Sequence, residues 1–369
     1  MNGTLDELVR PDVLVRAFDA VAQRRGMPGV DRVSIDEFGA GLSDNIARLL
    51  EELGSGTYRP QPVLRVEIRE PTPDGRTKIR PLAVPTVRDR VVLRSLADLL
   101  QPVIEPHLGD AAHAFRVGRG PGTAIEALLG WMREGRPAAL VADIRRFFEH
   151  IDHGLMLVSF GHVVGDSRLV RLVQTLMRAQ VLDHMRLVDT AVGIHQGSAM
   201  SPLLSNLYLA GFDRQMEAAG LKMVRYCDDL VVPCADEAEA TAARGRCASL
   251  LQPLGLALHA DKTRVVAPGH GFVFLGFHVT DGQAGPSHEA VSRLLFRLDE
   301  ISRQGAVRAE REAVVQGWCA YFGQVPPEVL GDVERLLASS QEGTPEPARE
   351  VPLPAVAEEP SASLCERVL

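Results

Sequence analysis

The sequence predicts an α+β fold organised around a mixed sheet. Apolar runs of strand length alternate with longer segments of helical spacing, and Gly- and Pro-rich turn signals separate the two. One run, "PAALVADI", is compact and almost wholly apolar, with Asp143 one residue before its end. The chain has 369 residues, 46% hydrophobic and 24% charged. Those are ordinary globular values, and the length allows one large domain or two to three ordinary ones.

The elements follow in order. Residues 11 to 25, "PDVLVRAFDAVAQRR", place apolar side chains at helical spacing, with Pro11 and Asp12 suited to a first turn. "GMPGVD" breaks that helix, and Ser34 with Glu37 three residues on opens the next by a capping-box pattern. From Val63 to Pro85 apolar and charged residues alternate around a Pro-Asp-Gly signal, which predicts a hairpin. "TVRDRVVLRSLADLLQPVI" and "RGPGTAIEALLGWMREG" read as helices, the strand "PAALVADI" follows, and "EHIDHGLMLVSFGHVV" returns to helical spacing. Helix, hairpin and helix run on to Ala219. A second hairpin is expected around "RYCDDLVVPC", Arg225 to Cys234, with the acids at its tip. "FVFLGFHV" reads as a strand, and helices run from about Glu289 to Ser339. The last stretch, with five prolines and no periodicity, predicts disorder.

Composition excludes several classes. Cys227, Cys234, Cys247, Cys319 and Cys365 are odd in number and scattered, without a CxxC pair, which argues against a disulfide frame or a zinc site. The opening "MNGTLDELVRPD" has neither a basic start nor an apolar core, and no run of about 18 apolar residues occurs, so a cytoplasmic protein without membrane contact is expected. Net charge is −8, yet it is segregated. Arg59 to Arg119 carries eleven basic residues against seven acidic ones, and Gln341 to Leu369 carries two arginines against six glutamates.

An isolated Asp-Asp pair such as Asp228-Asp229 most often marks a solvated turn. Asp143 changes that reading, because a carboxylate ending a buried strand is costly without compensation. If the fold pairs the two strands, three carboxylates converge and call for a cation. Hard oxygen donors in that number suit Mg²⁺, and two such ions about 3.5 to 4 Å apart stabilise the attacking and leaving oxygens of a phosphoryl transfer.

At these residues the sequence resembles a known family. Tyr226-Cys227-Asp228-Asp229 is similar to the YxDD box of reverse transcriptases, and Asp143 with "IRRFFEHIDH" to the acidic motif that precedes it. "HQGSAMSPLLSNLYL" resembles the QGxxxSPLLxNxYL block of group II intron-encoded and related bacterial enzymes. "RPLAVPTVRDRVV", "AFRVGRGPGTA", "KTRVV", "FVFLGF" and "VVQGWCAYFG" stand in the order that group shows, so the resemblance runs from about Leu14 to Phe322.

The resemblance implies a right-hand polymerase with fingers, an antiparallel palm sheet and a helical thumb. Its divisions would be 1–58 for an N-terminal helical extension, 59–135 fingers, 136–280 palm, 281–340 thumb and 341–369 a disordered acidic tail. Asp143, Asp228 and Asp229, with the Ile144 carbonyl, would hold two Mg²⁺, with Mn²⁺ as the alternative ion. Phe148 would plate the sugar and reject a ribose 2′-OH, with Phe147 a core neighbour whose backbone lies near the sugar. The alternative for Phe148 is likewise a core side chain. Gln196 and Gly197 would line the incoming dNTP, and Arg80 would meet its triphosphate. Relatives carry an upstream "IPK" lysine that is absent here, so Arg69, Arg76 or Lys78 must substitute, and Lys78 is favoured. Ser201 with Pro202 suits a helix N-cap and first turn, whereas Asn206 could face the pocket or cap locally. Lys262 would protonate the leaving pyrophosphate, unless it is an exposed loop lysine. Phe274, Leu275 and Gly276 resemble the primer grip, and Arg116 and Arg119 suit template phosphates.

The activity implied is RNA-directed DNA polymerisation, a nucleotidyl transfer using an RNA template, a DNA or RNA primer and dNTPs. Two alternatives share the resemblance: a maturase-like RNA-binding protein, and untemplated or protein-primed synthesis on the same palm. An acidic tail stands where intron-encoded relatives continue into DNA-binding and HNH segments. That predicts a host-adapted enzyme in phage defence or repair over autonomous intron mobility, with a dedicated non-coding or intron RNA as a candidate partner.

Overall fold

The computed structural model describes residues 3–72, 76–184 and 186–338, without the side chains of Lys78 and Arg80. The expected acidic tail, 341–369, and the centre of the first hairpin turn, 73–75, lie outside the described residues.

Four helices open the chain: α1 (Leu5–Leu8), α2 (Pro11–Gln23), α3 (Ile35–Ala40) and α4 (Leu42–Ser55). Pro11 stands in the first turn of α2, and Ser34 caps α3 by reciprocal bonds with Glu37. The hairpin β1 (Val63–Pro71) and β2 (Thr77–Val84) follows, pairing Leu64 with Val84 and Pro71 with Thr77. Thr86 caps α5 (Val87–Ile104), against which α2 buries Leu14, Ala17, Phe18 and Val21.

Then come α6 (Pro121–Arg133), β3 (Ala138–Asp143), α7 (Phe147–His150), α8 (His153–Val164) and α9 (Ser167–Met177). The short strands β4 (Val181–Asp183) and β5 (Arg186–Val188) extend the first hairpin into a sheet ordered β2-β1-β4-β5. The long helix α10 (Ser201–Ala218) leads to β6 (Val224–Tyr226) and β7 (Asp229–Cys234). After α11 (Glu237–Leu251), β8 (Arg264–Val266) completes an antiparallel sheet ordered β6-β7-β3-β8. Every residue of β3 is buried, as an almost wholly apolar run between two paired neighbours requires, and α6 and α11 lie against this sheet.

The remaining strands, β9 (Phe272–Phe274), β10 (Phe277–Thr280) and β11 (Gln283–Pro286), form a separate three-stranded meander. Helices α12 (His288–Arg303), α13 (Arg308–Phe322) and α14 (Leu330–Ala338) close the described chain around their own small core of Leu294, Leu298, Ile301 and Val333. Among the described residues no helix is long and apolar enough to cross a membrane, and Cys227, Cys234, Cys247 and Cys319 form no disulfide.

Three local expectations are corrected. "FVFLGFHV" is two strands, because Leu275 and Gly276 both take positive φ, 52° and 78°, and reverse the chain. Asp229 begins β7 instead of sharing the turn with Asp228. Ser201 is the first residue of α10 and not its cap: its hydroxyl donates to the His195 carbonyl at 2.6 Å, while Met200 holds the cap position.

Candidate active site

The carboxylates meet because of strand register. β3 and β7 run antiparallel with Asp143 directly opposite Asp229, and the two-residue turn Cys227–Asp228 joins β6 to β7. Cross-strand neighbours on one face have Cβ atoms about 4.5 to 5.5 Å apart, so register alone sets two acids side by side. The Ile144 amide, one residue past Asp143, donates to the Asp228 carbonyl at 2.9 Å. The His259 amide donates to the Asp143 carbonyl at 2.8 Å, which draws in the turn that carries Lys262. Lys262 Nζ stands 2.9 Å from Asp143 Oδ2, with side-chain exposures of 33% and 11%.

The electrostatics fit a site that seeks a cation. Burial, followed by the charges of Asp228 and Asp143, raises the Asp229 carboxyl well above the usual range. Burial and then Asp143 raise Asp228. Burial opposes the charge on Lys262, but its hydrogen bond to Asp143 and the nearby acids outweigh that and hold it above its ordinary value. Were all three carboxylates to ionise, the one ammonium would leave two negative charges uncompensated, in keeping with the raised Asp228 and Asp229. A divalent ion would cancel that deficit, and an all-oxygen donor set matches Mg²⁺ or Mn²⁺ chemistry. Among the described residues no group of three His, Cys, Asp or Glu side chains is arranged to hold a metal ion by itself, so an ion here would need further donors, such as substrate phosphates.

A cavity of about 400 Å³ is lined by Phe148, Gln196, Gly197 and Tyr226, with Arg116 and Arg119 also in its wall. Phe148 packs beside Phe147 with ring centroids 5.3 Å apart and planes tilted by 49°, and Phe147 itself is 1% exposed, a core side chain that packs towards Tyr208. The loop carrying Gln196 is stitched in from both sides. Its Ile194 amide donates to the Phe148 carbonyl at 2.8 Å, and the Ala83 amide donates to the Gln196 carbonyl at 3.0 Å. Gly197 takes φ 105°, and a Cβ there would stand 2.7 Å from Leu82 and 2.9 Å from the Ala83 carbonyl, so glycine alone allows this approach. Lys78 and Arg80 occupy β2 opposite Glu70 and Ile68, and their side chains lie outside the described residues.

Other expected residues are engaged in contacts within the protein. The Arg116 guanidinium is taken up by Glu105 and by the Gly109 and Ala112 carbonyls, which folds its own loop. Arg119 bonds Asp110, whose side chain is 93% exposed. Asn206 faces neither the cavity nor a cap: its amide donates to the Ala114 carbonyl and its oxygen accepts from Arg225. Phe274, Leu275 and Gly276 form the β9–β10 turn in the meander, where the Tyr321 hydroxyl of α13 donates to the Leu275 carbonyl at 3.0 Å. Ile144 is fully buried beside Asp143.

Sequence reasoning missed Arg225, the fully buried side chain that precedes the YCDD box and pairs with Asp213 at 2.6 Å. Its signal is a lone charge inside the apolar stretch "MVRYC". Tyr321 and Phe322 belong to the "VVQGWCAYFG" block, and their rings pack on Phe277 at 5.7 and 4.8 Å.

Comparison with known proteins bears on this geometry. The family model described as "Reverse transcriptase (RNA-dependent DNA polymerase)" matches residues 68–279, more than half of the chain. The chain is 28% identical over 233 residues to the group II intron-encoded protein LtrA of Lactococcus lactis subsp. cremoris; the match takes in 61% of this chain and 37% of LtrA. It thus spans little more than a third of that relative. It is 27% identical over 317 residues to protein YkfC of Escherichia coli (strain K12), which takes in 73% of this chain and 80% of YkfC. It is also 27% identical over 291 residues to the retron Mx65 reverse transcriptase of Myxococcus xanthus, at 76% and 65% coverage.

Proposed function

The chain belongs to the reverse transcriptase family, and on that premise we propose that it is an RNA-directed DNA polymerase that extends a primer with dNTPs on an RNA template. The observation that carries this reading is the register that sets Asp143 opposite Asp229, with Asp228 tied to Ile144, the residue that follows β3.

Asp143, Asp228, Asp229 and the Ile144 carbonyl are the groups that would hold two divalent ions, Mg²⁺ or Mn²⁺. Such ions, when bound, supply charge stabilisation for the attacking 3′-oxygen and the leaving pyrophosphate oxygen. The residues do the rest. Phe148 presents an apolar face under the sugar, where a 2′-hydroxyl would lose its hydrogen bonds to water. Gln196 and Gly197 bring polar side chain and close backbone to the nucleotide, while Lys78 and Arg80, on the neighbouring strand, are assigned to the triphosphate by position. Lys262 carries a proton at Nζ beside the acids and is the group assigned to donate it to pyrophosphate. Leu275 and its neighbours Phe274 and Gly276 are assigned to the primer terminus. Arg119 is assigned to template phosphate, with Arg116 shaping the loop that presents it. In this reading 1–58 is the N-terminal extension, 59–135 the fingers, 136–280 the palm and 281–340 the thumb.

Primer extension on a homopolymer RNA template in Mg²⁺ tests the proposal. The parent should elongate the primer and Asp228→Ala should not, with its fold retained. Full activity in that variant refutes the assignment, and RNA binding without extension by the parent favours the maturase-like alternative.

A further inference from the structure

We propose that Arg225 is the positioning residue of the acidic turn: its buried guanidinium fixes the Cys227–Asp228 peptide and so sets how Asp228 meets Asp143. This rests on the polymerase reading above and deepens it, since the residue touches neither substrate nor the carboxylates of the site.

Arg225 is fully buried. Nε and Nη2 make a fork to the two oxygens of Asp213 on α10, at 2.8 and 2.6 Å, which neutralises its charge. That fork uses two of the five N–H donors of a fully buried guanidinium, and the others need partners too. Nη1 is directed at the turn, donating to Asn206 Oδ1 and to the Cys227 carbonyl, each at 3.1 Å. Asn206 is itself held by its bond to the Ala114 carbonyl, so Nη1 has little freedom to swing away. The backbone of Arg225 is equally fixed: its amide donates to the Ala111 carbonyl at 2.7 Å and its carbonyl accepts from His113 at 2.9 Å.

Cys227 sits at φ 60°, a conformation that side chains other than glycine seldom adopt. Such a turn persists only where its surroundings hold it. The carbonyls on both sides of Asp228 are anchored, that of Cys227 by Arg225 and that of Asp228 by the Ile144 amide. Asp228 is thus clamped between two fixed peptide units. One anchor comes from the strand that carries Asp143; the other is the Arg225 side chain.

The test uses the full chain with two variants. Arg225→Lys keeps a buried cation but lacks the planar fork, and Arg225→Gln with Asp213→Asn removes both charges together, avoiding an unpaired one. Circular dichroism reports the fold, calorimetric titration with Mn²⁺ reports ion affinity, and single-nucleotide extension separates kcat from the KM for dNTP. Both variants should fold, bind Mn²⁺ about tenfold more weakly and lose about 10- to 100-fold in kcat, as loss of a group that orients metal ligands typically does, with KM within about threefold. Arg225→Lys should be the milder. A folded double variant whose Mn²⁺ affinity and kcat stay within about twofold of the parent overturns the proposal, and so does failure of both variants to fold, since Arg225 would then be core support only. A parent that extends no primer sinks the polymerase reading instead, and the Mn²⁺ titration alone then decides for Arg225.

Discussion

Two turns of similar construction do different work in this molecule. Cys227–Asp228 and Leu275–Gly276 are both two-residue hairpin loops, and both open on a non-glycine residue at positive φ, 60° and 52°. The first is held by charge and hydrogen bonds from inside the main core, through Arg225 and Ile144. The second is held by α13, whose Tyr321 and Phe322 pack on the main core beside it: Tyr321 bonds the Leu275 carbonyl, and Phe322 lies where a Cβ on Gly276 would come within 3.2 Å. A carboxylate that must present its charge to an ion tolerates little play, so its turn is anchored to the strands beside it. An apolar turn can be positioned by packing, and its place then depends on the unit that packs on it.

The sharpest way to break this comparison is Asp228→Ala. Extension should fall by roughly 10⁴-fold, the scale of losing a member of a catalytic set, while the melting temperature holds or rises, because one of three crowded carboxylates is gone. Withdrawal of the ion ranks next. At about 100 times its dissociation constant a bound ion stabilises the fold by about 2.7 kcal/mol. Adding Mg²⁺ to chelated protein should therefore raise the melting temperature of the parent and leave that of Asp228→Ala nearly still. An equal shift in both would place the ion elsewhere.

The second turn is weaker ground, and Gly276→Ala probes it. Gly276 has φ 78°, so a side chain costs about 1 to 2 kcal/mol in backbone strain before the Phe322 ring moves. Melting should drop accordingly and primer affinity should weaken, while the Mg²⁺-dependent shift survives. Loss of that shift would show that the two turns are not independent.

The first turn was legible in the sequence for a reason the second was not. Asp143 and the pair Asp228-Asp229 stand out because charge at the end of an apolar run is costly, and strand pairing is the cheapest way to bring them together. The capping box at Ser34 and the Pro-Asp-Gly hairpin were readable because each is a local signal. "FVFLGF" hid its reversal, since Leu275 is apolar and buried and gives the loop no polar punctuation. Helix α11 was passed over because alanines dominate both its faces. Its buried stripe of Ala240, Ala243, Cys247 and Leu251 barely contrasts with exposed neighbours such as Ala238 and Ala242. Arg225 was illegible in function because its partner Asp213 lies on another element, and only the fold turns a lone charge into a fork.

The finest test removes a single hydroxyl. Tyr321→Phe leaves the ring on Phe277, at 5.7 Å between centroids, and deletes the donor to the Leu275 carbonyl. A net hydrogen bond is worth about 1 kcal/mol, so melting should fall by no more than that, and if this turn grips the primer the cost should appear as about fivefold weaker primer affinity. The KM for dNTP should hold, because the cavity assigned to the nucleotide is lined by Phe148, Gln196 and Gly197 and by no residue of α13. Were dNTP binding to weaken while primer affinity stayed constant, the β9–β10 turn would belong to the nucleotide site, and the division of labour between the two turns would have to be redrawn.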